Sequence, residues 1–203
     1  MRPRAWILLT AVAALCCLWD PAFSAELKLG RSDPRKIIAE NPEAGKLIEV
    51  PFIAQERDQC GPASLAMILG HHGIEADPNE IYKKFETKAV AGVFTLDLLI
   101  AATEAGVKAR WVEGEIEDLN KEIDQARPVI VFLNLLPNPL PARHFAVALG
   151  YIHHRGRDHI VIHSGPDPYL MVPEKKFKRQ WKRTGNLMMT IKPEPADQDG
   201  EQP

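Results

Sequence analysis

Gln55-Glu-Arg-Asp-Gln-Cys60-Gly-Pro-Ala-Ser-Leu-Ala-Met-Ile-Leu-Gly70 sets a single thiol at the start of a segment that is apolar nearly all round. Such a segment reads as a helix buried in a core, since a surface helix would carry a polar face. Pro62 fits just inside the start, where its missing N–H costs no bond, so the helix is expected to open at Cys60-Gly61. That position suits a reactive cysteine. A thiol with an unperturbed pKa of about 8.5 is mostly protonated at neutral pH, and the unpaired amides of a helix N-terminus are expected to lower that value. Gly61 is read as room for a substrate backbone. Taken alone, an unpaired cysteine is more simply a small buried hydrophobe; the residues around Cys60 are what make it a candidate nucleophile.

The chain start bears on the compartment. Met-Arg2-Pro-Arg4 is basic, and Ala5 to Leu18 is an apolar run too short to span a bilayer comfortably. Ala22-Phe-Ser24 follows with small residues at the positions a signal peptidase reads, so residues 1–24 are expected to be a cleaved signal peptide and the mature protein to be exported, periplasmic or extracellular. Cys16 and Cys17 raise a lipid anchor as the alternative, but Leu15 before Cys16, and Cys16 before Cys17, are poor replacements for the small residue that such a site requires. After cleavage Cys60 is the only cysteine, so an internal disulfide is impossible although the compartment favours one. The whole chain has a formal net charge of −2; without Arg2, Arg4 and Asp20, a net +1, the remainder carries −3. This mild acidity argues against a nucleic-acid partner.

Residues 25–46 are polar, with a short possible helix at Pro34 to Glu40, and read as an exposed lead-in; residues 47–192 read as one folded domain, and residues 193–203 as an acidic disordered tail. No second apolar stretch is long enough to span a membrane in the mature protein, and oligomeric state is not encoded in any recognisable pattern. Further helices are expected from Pro78 to about Phe85, capped by Asp77; from Thr95 to Gly106, capped by Thr95; from Glu115 to Ala126; and, short and basic, from Lys175 to Trp181. The second half turns to strand periodicity at Pro128 to Asn134, His144 to Tyr151, His159 to His163 and Leu187 to Ile191, with the middle two forming a hairpin. Helices first and an antiparallel sheet after give an α+β architecture.

His144 is the expected base, and the Gln55 side-chain amide, with the Cys60 N–H, is placed to bind an oxyanion. Gln55 through Leu69 and His144 through Tyr151 resemble the two signature blocks of the bacteriocin-processing papain-like cysteine peptidases, cysteine peptidase family thirty-nine, in the stand-alone branch without a transporter. The resemblance runs from about Val50 to Ile191. It implies a papain-like fold and cleavage of a peptide or protein substrate by an acyl-enzyme on Cys60, with His144 as base and then acid. Members of that family orient the histidine with Asp or Asn at the end of the following strand, where this chain has His163-Ser164-Gly165-Pro166-Asp167. By place the orienting residue is Ser164, and by chemistry Asp167 suits an imidazolium better. A turn centred on Arg155-Gly156 sets His144 opposite Asp167, and one centred on His154 sets it opposite Ser164; both stay open, with Asn134 a third candidate.

No cofactor is implied. His71-His72 and His153-His154 lack metal-ligand spacing on one face, so no metal site is expected, and the basic residues from Lys175 to Arg183 read as a solvated helix face. The same residues would also serve an acyl or amide transferase, or a peptide-binding module that has lost activity. Cell-wall cysteine peptidases are a rival family whose nucleophile blocks read differently.

Overall fold

The computed structural model describes residues 32–87, 92–136, 139 and 141–193. The expected signal peptide, the lipid-anchor cysteines and the acidic tail from residue 194 onward lie outside these residues.

The order along the chain is α1 (Pro34–Glu40), a 3-10 turn (Pro42–Ala44), β1 (Gly45–Leu47), α2 (Cys60–His71), α3 (Pro78–Phe85), α4 (Thr95–Glu104), β2 (Val107–Glu113), α5 (Ile116–Asp124), β3 (Val129–Asn134), β4 (Arg143–His154), β5 (Arg157–Ser164), β6 (Asp167–Pro173), α6 (Glu174–Lys182) and β7 (Leu187–Pro193). The strands form one antiparallel sheet in the order β2-β7-β3-β4-β5-β6. The expected α+β, papain-like architecture is the one found.

β4 is the axis of the sheet. Its first half, Arg143 to Ala148, pairs with β3, while Gly150 to Ile152 pairs with β1 on the same edge, and β5 covers the other edge. Here the structure corrects the expected domain limits. The compact unit begins at Pro34, not at Leu47, and Gly45 is a sheet residue whose close approach leaves no room for a side chain: a Cβ there would lie 2.0 Å from the Tyr151 carbonyl oxygen. The supposed lead-in is therefore partly structural.

α2 lies on the sheet with residues 61–69 all buried, as its unbroken apolar sequence requires. α6 solves the opposite problem, burying only Phe177, Gln180 and Trp181 on one stripe while its lysines face solvent. Asp77 caps α3 by accepting the Asn79 N–H at 2.8 Å. The start of α4 differs from expectation. Thr95 is already helical, and the cap position is Phe94, whose N–H donates to the Asp97 carboxylate at 2.8 Å.

Three strands were not anticipated, β1 among them. β2 and β6 are the edges of the sheet, β2 with an outer row of charged residues and β6 with Pro168 near its start and Pro173 at its end. An edge strand tolerates both, since one row of its backbone groups needs no partner.

Candidate active site

Cys60 is the first residue of α2, half-buried and a free thiol. Gln59 at the cap position makes no side-chain bond to the helix, so the first amides stay unspent. The Phe145, Gly61 and Cys60 amides lie close enough to the sulfur to favour negative charge on it. Burial outweighs them and pushes the thiol pKa up from its ordinary value. This overturns the expected lowering: a helix start stabilises a thiolate by a fraction of what desolvation removes once the group is enclosed. Gly61 also differs from expectation. It is buried, and a Cβ there would come within 2.8 Å of Val93 Cγ2 and 3.2 Å of both Leu98 Cδ1 and Phe145 Cδ2, so its smallness serves helix-to-sheet packing and not a passing substrate.

His144 is the second residue of β4, and its Nε2 lies 2.9 Å from Ser164 Oγ at the end of β5. Strand geometry explains the pairing. The β4–β5 turn is Arg155-Gly156, with φ of +53° and +71°, the two positive values a two-residue type I′ hairpin needs. Unbroken register from that turn would set His144 against Asp167, but a bulge between Ala148 and Gly150 removes one step, so Val147 faces His163. Ser164 then becomes the diagonal neighbour of His144 on the same face, within reach of a side chain. Asp167 stands across the tight β5–β6 turn from Ser164 and opens β6. Asn134, the third candidate, is used to brace its strand end: its Oδ1 accepts the Ala142 N–H at 2.9 Å.

Burial lowers the His144 pKa from 6.5 to about 4. The ring is therefore neutral, and so is the thiol. If the Nε2–H donates to Ser164, the Nδ1 lone pair is left to accept a proton, which is the tautomer a base requires.

Gln55 is tied to the turn that carries Ser164. Its N–H donates to the Gly165 carbonyl at 3.0 Å, and its Oε1 accepts the Gly165 N–H at 2.9 Å. This fixes the amide so that Nε2 turns towards Ser64 Oγ at 3.3 Å and the Phe145 carbonyl at 3.5 Å. Both contacts are long, so the donor is aimed yet weakly held. The buried Ser64 was not singled out in the sequence, where a serine within an apolar helix carries no distinguishing signal.

His163, His71 and His153 are spent on structural contacts. Buried His163 bonds the Val50 carbonyl at 3.2 Å and accepts the Tyr169 N–H at 3.1 Å. The His71 nitrogens face the Glu49 and Ala126 carbonyls, and His153 pairs with Asp158 at 2.7 Å. Among the described residues no group of three or more His, Cys, Asp or Glu side chains is arranged to hold a metal ion, and no helix is long and apolar enough to cross a membrane.

The model of the peptidase C39 family matches residues 49–196. The chain belongs to the peptidase C39 family. A double-glycine motif protease from an AMS/PCAT transporter, solved in complex with the leader peptide, superposes with a TM-score of 0.57 at 26% identity, over 73% of this chain and 95% of that one. A structure described as a C39-like peptidase from Bacillus anthracis gives a TM-score of 0.59 at 23% identity, over 73% and 98%, and shows the shared fold. An uncharacterized protein of Methanothermobacter thermautotrophicus is 34% identical over 73 residues, 36% of this chain and 51% of its own length. Another, from Methanothermobacter marburgensis, is 39% identical over 62 residues, 30% of this chain and 43% of its own. The chain thus spans about half of these curated relatives, or less.

Proposed function

We propose that this C39-family chain is an exported cysteine peptidase in which Cys60 attacks a peptide carbonyl and His144 moves the proton. The observation that carries the reading is the His144 Nε2–Ser164 Oγ hydrogen bond at 2.9 Å, on a strand whose next amide, that of Phe145, faces the Cys60 sulfur. A base held by a third group beside a nucleophile is the arrangement that covalent catalysis requires. The structure of a related protease with its leader peptide supports a peptide as substrate. The basic, apolar, small-residue succession of residues 1–24 supports export.

The resting pair is neutral, so proton transfer accompanies attack. As Sγ bonds to the carbonyl carbon, the thiol proton passes to His144 Nδ1. The developing oxyanion is met by the Cys60 N–H and by Gln55 Nε2. His144 then returns the proton to the leaving amine as the C–N bond breaks. Water, deprotonated by the same nitrogen, cleaves the thioester and restores the thiol.

Peptide mixtures incubated with the protein and with Cys60→Ala test the reading. New termini are expected with the parent only, and an electrophilic thiol probe is expected to label Cys60. Cleavage that persists in Cys60→Ala overturns it.

A further inference from the structure

Beside the thiol lies a cavity of about 180 Å³, room for one amino-acid side chain, whose walls are mostly apolar. Phe132 and Phe145, stacked at 4.6 Å between ring centroids, line it together with Val93 and Phe94. Among the described residues one charged side chain lines it, Arg143. The β3–β4 register pairs Phe132 with Phe145 and Asn134 with Arg143, so Arg143 and Phe145 project from the same face of β4, two residues or about 7 Å apart. Phe145 also turns its amide to the sulfur. The guanidinium is exposed, and among the described residues no carboxylate pairs with it. A cation and aromatic side chains lining one cavity with Cys60 suit a substrate group with an apolar stem and an anionic end.

We propose that this cavity is a specificity subsite for a substrate carboxylate, the methylenes lying on Phe132 and Phe145 and the oxygens on Arg143. The inference rests on the peptidase reading for its purpose but not for its test. Two sources offer the same chemistry, a glutamate side chain next to the scissile bond and the free C-terminus of a short peptide.

Binding to full-length Cys60→Ala separates them without requiring turnover. The probes are N-acetylated tetrapeptides of leucine with Glu or its neutral isostere Gln at each position in turn, each with a free or an amidated C-terminus, titrated by calorimetry. The acidic member is expected to bind about ten- to a hundredfold more tightly than its amide counterpart, the range of a charge-assisted hydrogen bond. Discrimination at one Glu position identifies the side chain, and discrimination between free and amidated ends identifies the terminus. Arg143→Gln, an exposed change in the same Cys60→Ala background, is expected to abolish the preference, and Arg143→Glu to transfer it to lysine. Equal binding of acid and amide, no binding of either, or a preference that survives Arg143→Gln overturns the subsite. Failure of the parent to cleave any peptide would strike the peptidase reading alone.

Discussion

A serine hydroxyl on His144 leaves the ring uncharged, where a carboxylate would draw a proton onto it. Ser164 accepts or donates a hydrogen bond but brings no charge, so burial decides, and the ring titrates near 4. The acid limb of kcat/KM is accordingly expected near pH 4, since the base stays neutral down to that point. Ser164→Asp puts an anion against the ring, raises its pKa and should move that limb upward by a unit or more; a parent limb near 6.5 that ignores Ser164→Asp would refute the neutral pair. The same shift governs stability. The unfolded chain takes up a proton at His144 near 6.5 and the folded chain does so only near 4, so the stabilisation from the neutral ring is present above 6.5 and lost as pH falls through about 4. Cys60 gives an independent check: because burial raises the thiol pKa, alkylation by iodoacetamide should rise only at a pH above that of a free thiol, and a midpoint below 7 would restore a thiolate–imidazolium pair.

Elements carry these residues to one another, and the long ones were legible in the chain. The all-apolar α2, the first-turn proline of α3 and the buried run of β3 each obey a local rule that nothing else in the fold contradicts. What escaped were features decided by neighbours. β6 begins Asp167-Pro168, which reads as a turn until an edge position makes the proline harmless, and the bulge before Gly150 has no sequence signature beyond that glycine. That bulge made a register argument from the turn misleading, and it moves Ser164 into reach of His144. Gly61 was legible as important but for the wrong reason. Gly61→Ala is expected to cost about 1–3 kcal/mol in urea unfolding, the usual range for overpacking, because the new methyl must displace Val93, Leu98 or Phe145. It should also lower turnover by lifting Cys60 away from Phe145. Unchanged stability would mean that α2 has slack against the sheet.

Across the whole molecule the site is a meeting of three distant stretches, and Gln55 is the residue that ties them. Its backbone and side chain hold Gly165, 110 residues on, while its amide nitrogen turns to Phe145, so it links the segment before Cys60, the strand of His144 and the turn that follows Ser164. The sequence placed Gln55 five residues before Cys60 and suggested an oxyanion donor, but the tie to Gly165 was invisible there, being a product of where β5 ends. The proposed oxyanion role and the tie to Gly165 would thus share one side chain, and a single alanine substitution would confound them. Gln55→Glu separates them, because a carboxylate oxygen still accepts the Gly165 N–H while the Nε2 donor is gone and a like charge faces the oxyanion. Turnover is expected to fall by about 10²- to 10³-fold, as for loss of one oxyanion donor, with the unfolding midpoint close to that of the parent. Gln55→Ala should show the same kinetic loss together with a drop in stability of about 0.5–1.5 kcal/mol from the lost side-chain bond. Full activity in Gln55→Glu alongside instability in Gln55→Ala would make Gln55 a brace alone and leave the oxyanion to the Cys60 and Gly61 amides.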